Sequence, residues 1–387
     1  MNNLDSLRTN TKIGRSKPFR PSKISTLFDC PWHYLLSTEQ SKLPTLESNP
    51  LGLLGSAMHK IIENNAGQHS LKGLEVQNLI VNEFEKKVSS QPDNLLKWAY
   101  ERLGITGVIS QQRLLNASQL AFKSIRSSPS KKISNEFSNV NSDSQLNNFL
   151  RERKFYSPKL GLEGWPDLVY TNENLIHVVD YKLSLRRNEE GKPKESYIVQ
   201  AAAYGLLAKE TYKNSNVILE LISPSDKWIK HLDVDLENQV KDLLIHANQI
   251  LPIGEKFNAQ EIARAGMHCE QCSYRPACLT YNDSFIKDNS KSSESICTHD
   301  VYGKITAIEE SNKLFRLEIE SNVESRKIVV DGFVSKNNLK PLVHANFIGY
   351  ELGSAEVKGR GSYISNFHLF NPANPINSAF SSYVNIV

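Results

Sequence analysis

Apolar residues recur at steps of three and four along the first third of the chain, a period that predicts helices. A short helix is expected from Ser22 or Ser25, with the serine as its cap and a break at Pro31. A second helix is expected to end near Gly67. Further helices are expected within an insertion over residues 67–145, whose last part is a polar loop.

After this loop the apolar residues form short runs separated by turn residues. Three strands are predicted, in "NNFLRERKFYS", "LGLEGWPDLVYT" and "NLIHVVDYKLS". The Ala- and Leu-rich "SYIVQAAAYGLLAKETY" predicts a helix, and two more strands and another helix follow. This order of elements favours an α/β fold, in which a mixed sheet is flanked by helices.

The two ends of the chain differ from this central region. Residues 1–21 are polar and basic and predict a flexible arm, which leaves residues 22–281 as the main domain. The Ser-rich residues 282–297 predict a linker. Residues 298–387 contain five strand candidates at even spacing, which favours a small barrel or sandwich, with the five-stranded OB type as the best single guess.

Composition is that of an ordinary globular protein, with 39% apolar and 23% charged residues among 387. The net charge of +4 permits a polyanionic partner but does not establish one. No apolar run approaches the ~20 residues of a membrane span, and the start lacks the apolar segment of a signal peptide. We therefore expect a cytoplasmic protein without a membrane partner. In that compartment, five cysteines suggest metal ligation over disulfides.

Two carboxylates and a lysine stand at the ends of neighbouring strand candidates. Burying Asp167 or Asp180 is unfavourable by several kcal/mol unless the carboxylate is paired or binds a metal. Two carboxylates on adjacent strands suit Mg²⁺ or Mn²⁺, which lowers the pKa of a bound water. Lys182 shares a strand face with Asp180, while Tyr181 points to the opposite face. Alone, the pattern also fits two strand-end aspartates beside a surface lysine.

Further polar residues are candidates for the same site. His59 lies on the second predicted helix, Glu152 lies one strand before Asp167, and Gln200 and Tyr204 share one helix face. Each also has a structural reading: a packed or surface histidine, an exposed strand charge, or an ordinary helix face.

Taken together, His59, "PD" at 166–167, "DYK" at 180–182 and "QAAAY" at 200–204 resemble the PD-(D/E)XK nuclease superfamily, specifically its RecB-like branch. The resemblance runs from about Ser22 to Cys278 and implies a restriction-endonuclease-like fold. It implies metal binding by His59, Asp167, Asp180 and the Tyr181 carbonyl, catalytic roles for Asp167, Asp180 and Lys182, and a helical motif beside the active site containing Gln200 and Tyr204.

A second candidate metal site comprises four of the five cysteines: Cys30, Cys269, Cys272 and Cys278. Four thiolates complement either a [4Fe–4S] cluster or a tetrahedral Zn²⁺, and in a zinc site His33 or His268 is able to replace one of them. Unrelated buried thiols are the third reading. Cys297 stands outside the set, as a free or linker thiol.

The same cysteine spacing resembles that of iron–sulfur nucleases, among them AddB-type recombination nucleases and CRISPR-adaptation exonucleases. The resemblance implies that a [4Fe–4S] cluster staples the two ends of the nuclease domain together and has a structural role. Closing so long a loop removes chain entropy from the unfolded state.

Basic clusters at residues 12–23, 151–154 and 182–194 are candidate phosphate contacts, and Tyr197 and Tyr204 are candidates for stacking on bases. Solvated loop charge is the alternative for each cluster. The sequence therefore favours a metal-dependent DNA nuclease, acting on single strands or DNA ends, in repair, recombination or anti-phage defence. The resemblance includes exonucleases, but the sequence does not decide between exo- and endonucleolytic action.

The alternative is a nucleic-acid-binding assembly subunit that keeps the nuclease fold. No G-x₄-G-K-[ST] run is present, so a motor would have to be a separate helicase or ATPase, a partner suggested by family analogy alone.

Overall fold

The computed structural model describes residues 12–39, 50–90, 97, 100–101, 104–127, 150–172, 174–213, 216–275, 278–288, 301–311, 314–320, 327–333, 346–349 and 385–386. Among these residues, no helix combines the length and the apolar character needed to cross a bilayer.

The described helices are α1 (Ile24–Asp29), α2 (Pro31–Thr38), α3 (Pro50–Asn65), α4 (Gly73–Ser89), α5 (Ile105–Val108), α6 (Gln111–Arg126), α7 (Glu195–Tyr212), α8 (Val234–Ile250), α9 (Ala259–Ile262) and α10 (Leu279–Asp288), with 3₁₀ turns at Pro21–Lys23 and Met267–Gln271. The strands are β1 (Ile13–Gly14), β2 (Leu150–Arg151), β3 (Phe155–Ser157), β4 (Leu162–Gly164), β5 (Leu168–Asn172), β6 (Leu175–Tyr181), β7 (Asn216–Ile222), β8 (Lys227–His231), β9 (Lys256–Phe257), β10 (Val301–Ser311), β11 (Leu314–Glu320), β12 (Lys327–Phe333), β13 (Asn346–Gly349) and β14 (Asn385–Ile386).

A five-stranded mixed sheet, in the order β2-β5-β6-β7-β8, is the centre of the main domain. Strands β6 and β7 are parallel, and the helix α7 connects them; the other neighbours in this sheet are antiparallel. A parallel pair requires such a crossover, whereas the short turn between β5 and β6 suits an antiparallel hairpin. The mixed α/β architecture expected from the order of elements is confirmed.

Helices cover both faces of this sheet, and each face has its own apolar core. On one face Val169, Val178 and Leu219 pack in a core that includes α7 and α8. On the other face Val179 and Tyr181 pack in a core that includes α3, α4 and α6. Because successive residues of a strand point to opposite faces, β6 delivers alternate side chains to these two layers.

Two of the three strands expected before α7 are each divided in two. The segment "LGLEGWPDLVYT" leaves the strand conformation between β4 and β5, where Pro166 lacks the N–H that a strand ladder needs. The segment "NNFLRERKFYS" is interrupted at Glu152, which has a φ of 46°. Strands β3 and β4 consequently form a separate hairpin beside the main sheet.

The start of the domain also differs from expectation. Residues 12–21, expected in a flexible arm, are anchored: β1 pairs with β9, and the buried Arg15 donates from Nε to the Leu251 carbonyl at 2.8 Å. No serine caps α1, because the 3₁₀ turn at Pro21–Lys23 precedes it. The expected break at Pro31 is confirmed, since this residue begins α2.

Helix α10 continues to Asp288 and so occupies the beginning of the expected linker. The following strands form a sheet in the order β12-β11-β10-β13-β14, with the fourth strand of this region beside the first. That placement is the one of a Greek key, a topology that OB barrels share. The last strand candidate, residues 362–370, and Cys297 lie outside the described residues.

Candidate active site

Three side chains from different elements converge at one edge of the main sheet. His59 lies on α3, Glu152 directly follows β2, and Asp167 directly precedes β5. The Nδ1 atom of His59 lies 3.0 Å from Asp167 Oδ1 and 3.7 Å from Glu152 Oε1. One ligand atom from each residue lies within 4.8 Å of the others, and among the described residues no other His, Cys, Asp or Glu group does so.

Asp167 is held in place by the backbone of the neighbouring strand. Its Oδ2 atom accepts a hydrogen bond from the Tyr181 backbone N–H at 2.5 Å. Tyr181 itself points into the core against α3, on the face opposite to Asp180, as the strand alternation predicted. The other oxygen, Oδ1, therefore remains directed at His59.

Asp180, Lys182 and Gln200 form a closed triangle on the α7 side of the sheet. Lys182 Nζ lies 2.7 Å from Asp180 Oδ2 and donates to Gln200 Oε1 at 3.0 Å. Gln200 Nε2 in turn donates to Asp180 Oδ1 at 3.1 Å. Each group holds the other two, so Gln200 fixes the positions of the buried carboxylate and of the ammonium.

Negative charge is crowded at this site. Burial raises the pKa of Asp180 to about 6, although Lys182 favours the ionised form. Burial and the charge of Asp167 raise the pKa of Glu152 to about 7. Burial disfavours the imidazolium of His59, but Asp167 and Asp180 outweigh this effect and raise its pKa to about 9. A bound cation would relieve the same repulsion.

The donor set fits a hard divalent cation. Carboxylate oxygens and one imidazole nitrogen are ligands that Mg²⁺ and Mn²⁺ accept, and such an ion supplies an acidified water and polarises a phosphoryl oxygen. The other catalytic groups of the site are side chains of the protein. Lys182, directed by Asp180 and Gln200, offers an ammonium that is able to orient a nucleophile or stabilise developing negative charge.

Tyr204 lies one helical turn beyond Gln200 and supports the site by packing. The side chain is 6% exposed, so the expected stacking of Tyr204 on bases is wrong. Its ring packs against Gly164, where an added Cβ would lie 2.6 Å from Tyr204 Cε1 and 3.0 Å from Pro21 Cδ. Tyr197, the other aromatic residue expected to stack, lies half-buried with its ring centroid 5.0 Å from Lys182 Nζ.

We expect Gly164→Ala to reduce both stability and any activity of the site, because the methyl group forces β4 away from Tyr204. Overpacking of this kind lowers the free energy of unfolding by about 1–3 kcal/mol. Gly52→Ala, in α3, is the matched control, since nothing lies within 4 Å of its added Cβ. Thermal unfolding of the two variants checks this: equal melting temperatures would contradict the packing role.

Comparison with models of known protein families matches residues 18–279 to the PD-(D/E)XK nuclease superfamily. The match covers well over half of the chain and contains every element of the site. The chain belongs to the PD-(D/E)XK nuclease superfamily. A search of curated proteins finds no match for it.

Membership in this superfamily indicates a metal-dependent nuclease that hydrolyses nucleic acid. The described geometry agrees with that chemistry at the level of an acidic metal site. The literal "PD" and "DYK" residues of the nuclease stand where β5 begins and where β6 ends. Glu152 lies closer to His59 and Asp167 than the sequence indicated. Its positive φ turns the chain at this point, and a positive φ at a non-glycine residue has no signal in the sequence.

The four cysteines of the proposed set lie together, far from this acidic site in the sequence. Cys30 occupies the junction between α1 and α2, Cys269 and Cys272 lie in and just after the second 3₁₀ turn, and Cys278 immediately precedes α10. All four are buried thiols that line one small cavity. The backbone N–H of Arg264 donates to Cys30 Sγ at 3.5 Å, which ties the two ends of the nuclease domain together.

The lining of this cavity bears on the ion that it would hold. His33 and His268 also line the cavity. Burial raises the pKa of Cys272 and Cys278 to about 12, so both are neutral thiols unless a cation displaces the protons.

Proposed function

We propose that the protein is a Mg²⁺- or Mn²⁺-dependent deoxyribonuclease of the RecB-like branch, which hydrolyses phosphodiester bonds in single-stranded DNA or at DNA ends. In this proposal His59, Asp167, Asp180 and the Tyr181 carbonyl bind the metal, and Lys182 acts on the attacking water or the phosphate. Glu152 joins them as an additional ligand. Gln200 and Tyr204 position this set from α7.

One observation carries the proposal: a buried carboxylate, Asp180, bridges a lysine and a glutamine beside a His–Glu–Asp group whose ligand atoms lie within 4.8 Å. A structural ion pair needs the lysine and the carboxylate alone. The two additional carboxylates, Glu152 and Asp167, crowd negative charge beside Asp180, and a bound cation would compensate that charge.

We further propose that the four thiols hold a [4Fe–4S] cluster, with Zn²⁺ as the alternative. The support is the gathering of four buried cysteines around one small cavity and the resemblance of their spacing to that of the iron–sulfur nucleases. Since Cys30 stands about 240 residues before Cys269, such a cluster would act on stability.

The remaining features fit a role in DNA repair, recombination or anti-phage defence in the cytoplasm. The C-terminal Greek-key sheet is proposed to be an OB-like barrel, which binds either single strands or a partner protein. A separate helicase or ATPase would deliver single strands, as in recombination complexes. Exonucleolytic action is proposed from the resemblance to the iron–sulfur nucleases.

The proposal is tested by cleavage assays on anaerobically purified full-length protein. The substrates are end-labelled linear single-stranded DNA, linear duplex, circular single-stranded DNA and RNA, each with Mg²⁺, Mn²⁺ or EDTA. We expect metal-dependent cleavage of the linear single strand, slower attack on duplex and RNA, and resistance of the circle. Cutting of the circle would contradict exonucleolytic action. Tight DNA binding without cleavage in any metal would instead favour the assembly-subunit reading.

A further inference from the structure

The β3–β4 hairpin presents two very different faces. Its inner face includes Phe155 and Leu162, which are buried in the core that includes α7, and the buried Gly164. Its outer face includes Tyr156, paired in register with Glu163 on the neighbouring strand. Among the described residues, Tyr156 and Trp165 are the large aromatic side chains that rank as exposed, at 55% and 37%. Both therefore belong to this hairpin or to the residue that follows it.

Two cations lie near the indole ring of Trp165. The Arg20 guanidinium carbon lies 5.6 Å from the ring centroid, and Lys154 Nζ lies 5.4 Å from it. Both cations also approach Glu163: Lys154 Nζ lies 2.7 Å from Oε2, and Arg20 Nε lies 3.5 Å from Oε1. One buried carboxylate thus faces two cations, which leaves a net positive charge beside an accessible aromatic ring.

This surface adjoins the active site through the chain itself. Trp165 stands two residues before Asp167, so their Cα atoms are at most ~7 Å apart. Pro166 between them is buried and restricts Trp165 to extended backbone conformations. Gly164, the residue before Trp165, lies so close to Tyr204 and Pro21 that it has no room for a side chain. The backbone is therefore held in place on both sides of Trp165. The backbone of Trp165 consequently has a set position beside Asp167.

We propose that Arg20, Lys154, Tyr156 and Trp165 form a substrate-binding platform, on which an unpaired base next to the scissile phosphate stacks on Trp165 while Arg20 and Lys154 contact the phosphates. The proposal rests on the proposed nuclease function and specifies its substrate as a single strand. Interleaved aromatic and basic side chains are how sequence-independent proteins hold single strands, because every base offers a π-face. A paired base is stacked inside the duplex and cannot reach the ring.

The test measures binding of short labelled DNA to the full-length protein in EDTA, where no metal-dependent cleavage occurs. Base stacking of this kind contributes about 5- to 100-fold in affinity. We therefore expect Trp165→Ala to weaken single-strand binding by this factor and leave duplex binding within about 2-fold. Trp165→Phe, which keeps an aromatic ring, should retain binding within about 3-fold. Unchanged single-strand binding by Trp165→Ala, or an equal loss for duplex, would overturn the platform.

The charged residues have a matched control on the same hairpin. Lys154→Gln should weaken binding and reduce the salt dependence by about one phosphate contact, whereas Lys159→Gln, at a position 85% exposed in the turn, should change neither. Equal effects of the two substitutions would show that any positive charge on this surface contributes to binding. That result would overturn a specific phosphate contact by Lys154.

Tryptophan fluorescence gives an independent readout that needs only folded protein. Addition of oligonucleotide should quench the emission of the wild-type protein, and Trp165→Phe should lose this quenching while it still binds. No Trp165-dependent quenching with DNA or RNA would overturn stacking. Trp165-dependent quenching without any cleavage would support the platform and contradict the nuclease proposal. Cleavage by Trp165→Ala with wild-type substrate preference would support the nuclease proposal and contradict the platform.

Discussion

Asp180→Asn is expected to abolish cleavage while the protein remains folded. The substitution keeps the size of the side chain but removes a buried carboxylate that contacts both Lys182 and Gln200. Loss of metal-based stabilisation of several kcal/mol corresponds to a rate reduction of about 10³-fold. Cleavage rates measured with saturating Mg²⁺ at equal protein concentrations check this expectation.

The stability of this variant carries its own prediction. Because burial raises the pKa of Asp180, the ionised carboxylate is unfavourable in the folded protein without metal. Its removal therefore should not lower the melting temperature of metal-free protein by more than a few degrees. Asp242→Asn, an exposed position on α8, is the matched control with the same change of charge. Cleavage by Asp180→Asn at the rate of this control would contradict the assignment of the site.

Cys272→Ser is expected to have the largest effect on stability. In the proposed cluster the four buried thiols would join the beginning of the nuclease domain to its end, and the loss of one ligand would release that connection. We expect the free energy of unfolding to fall by about 3 kcal/mol or more, which lowers the melting temperature of a domain of this size by about 6–12 °C. Iron content and visible absorption should fall with it.

The chain supplies a control for this substitution in Cys297, which stands outside the four-cysteine set. Cys297→Ser should leave iron content and melting temperature unchanged. Equal metal content in wild-type and Cys272→Ser protein would contradict a ligand role for Cys272. Zinc in place of iron, lost in the same variant, would select the Zn²⁺ alternative and keep the structural role.

The predictable part of the site follows from periodicity. Strand alternation places Asp180 and Lys182 together and Tyr181 on the other face, and helical spacing places Gln200 and Tyr204 on one side of α7. These relations are local, so the sequence contains them. The bridge made by Gln200 between Asp180 and Lys182 depends on how α7 docks on the sheet, which no local pattern encodes.

The unpredicted part depends on tertiary contacts and on special backbone geometry. Glu152 reaches His59 and Asp167 through a positive φ, and Arg15 is buried because its guanidinium finds partners more than two hundred residues away. The interruption at Pro166 did have a sequence signal, since proline cannot continue a strand ladder. That interruption separates the β3–β4 hairpin from the main sheet and places Trp165 beside Asp167.

Tyr204 shows why residue type alone misleads about function. A tyrosine near a nuclease site suggests base stacking, but burial raises its pKa and encloses its ring against Gly164. Among the residues that the structure describes, the exposed large aromatic side chains are instead Tyr156 and Trp165. Exposure, which the sequence does not report directly, decides which aromatic residue is able to meet a substrate.

The most direct test of the account is the rate of phosphodiester cleavage by one preparation of wild-type protein as its active-site metal is withdrawn and returned. Labelled single-stranded DNA is incubated first with Mg²⁺, then with EDTA, and then with Mg²⁺ in excess over EDTA. We expect cleavage to stop in EDTA and to resume when Mg²⁺ is restored. Cleavage that continues in EDTA, or its absence under every metal condition, would contradict the claim that these carboxylates hold a catalytic cation.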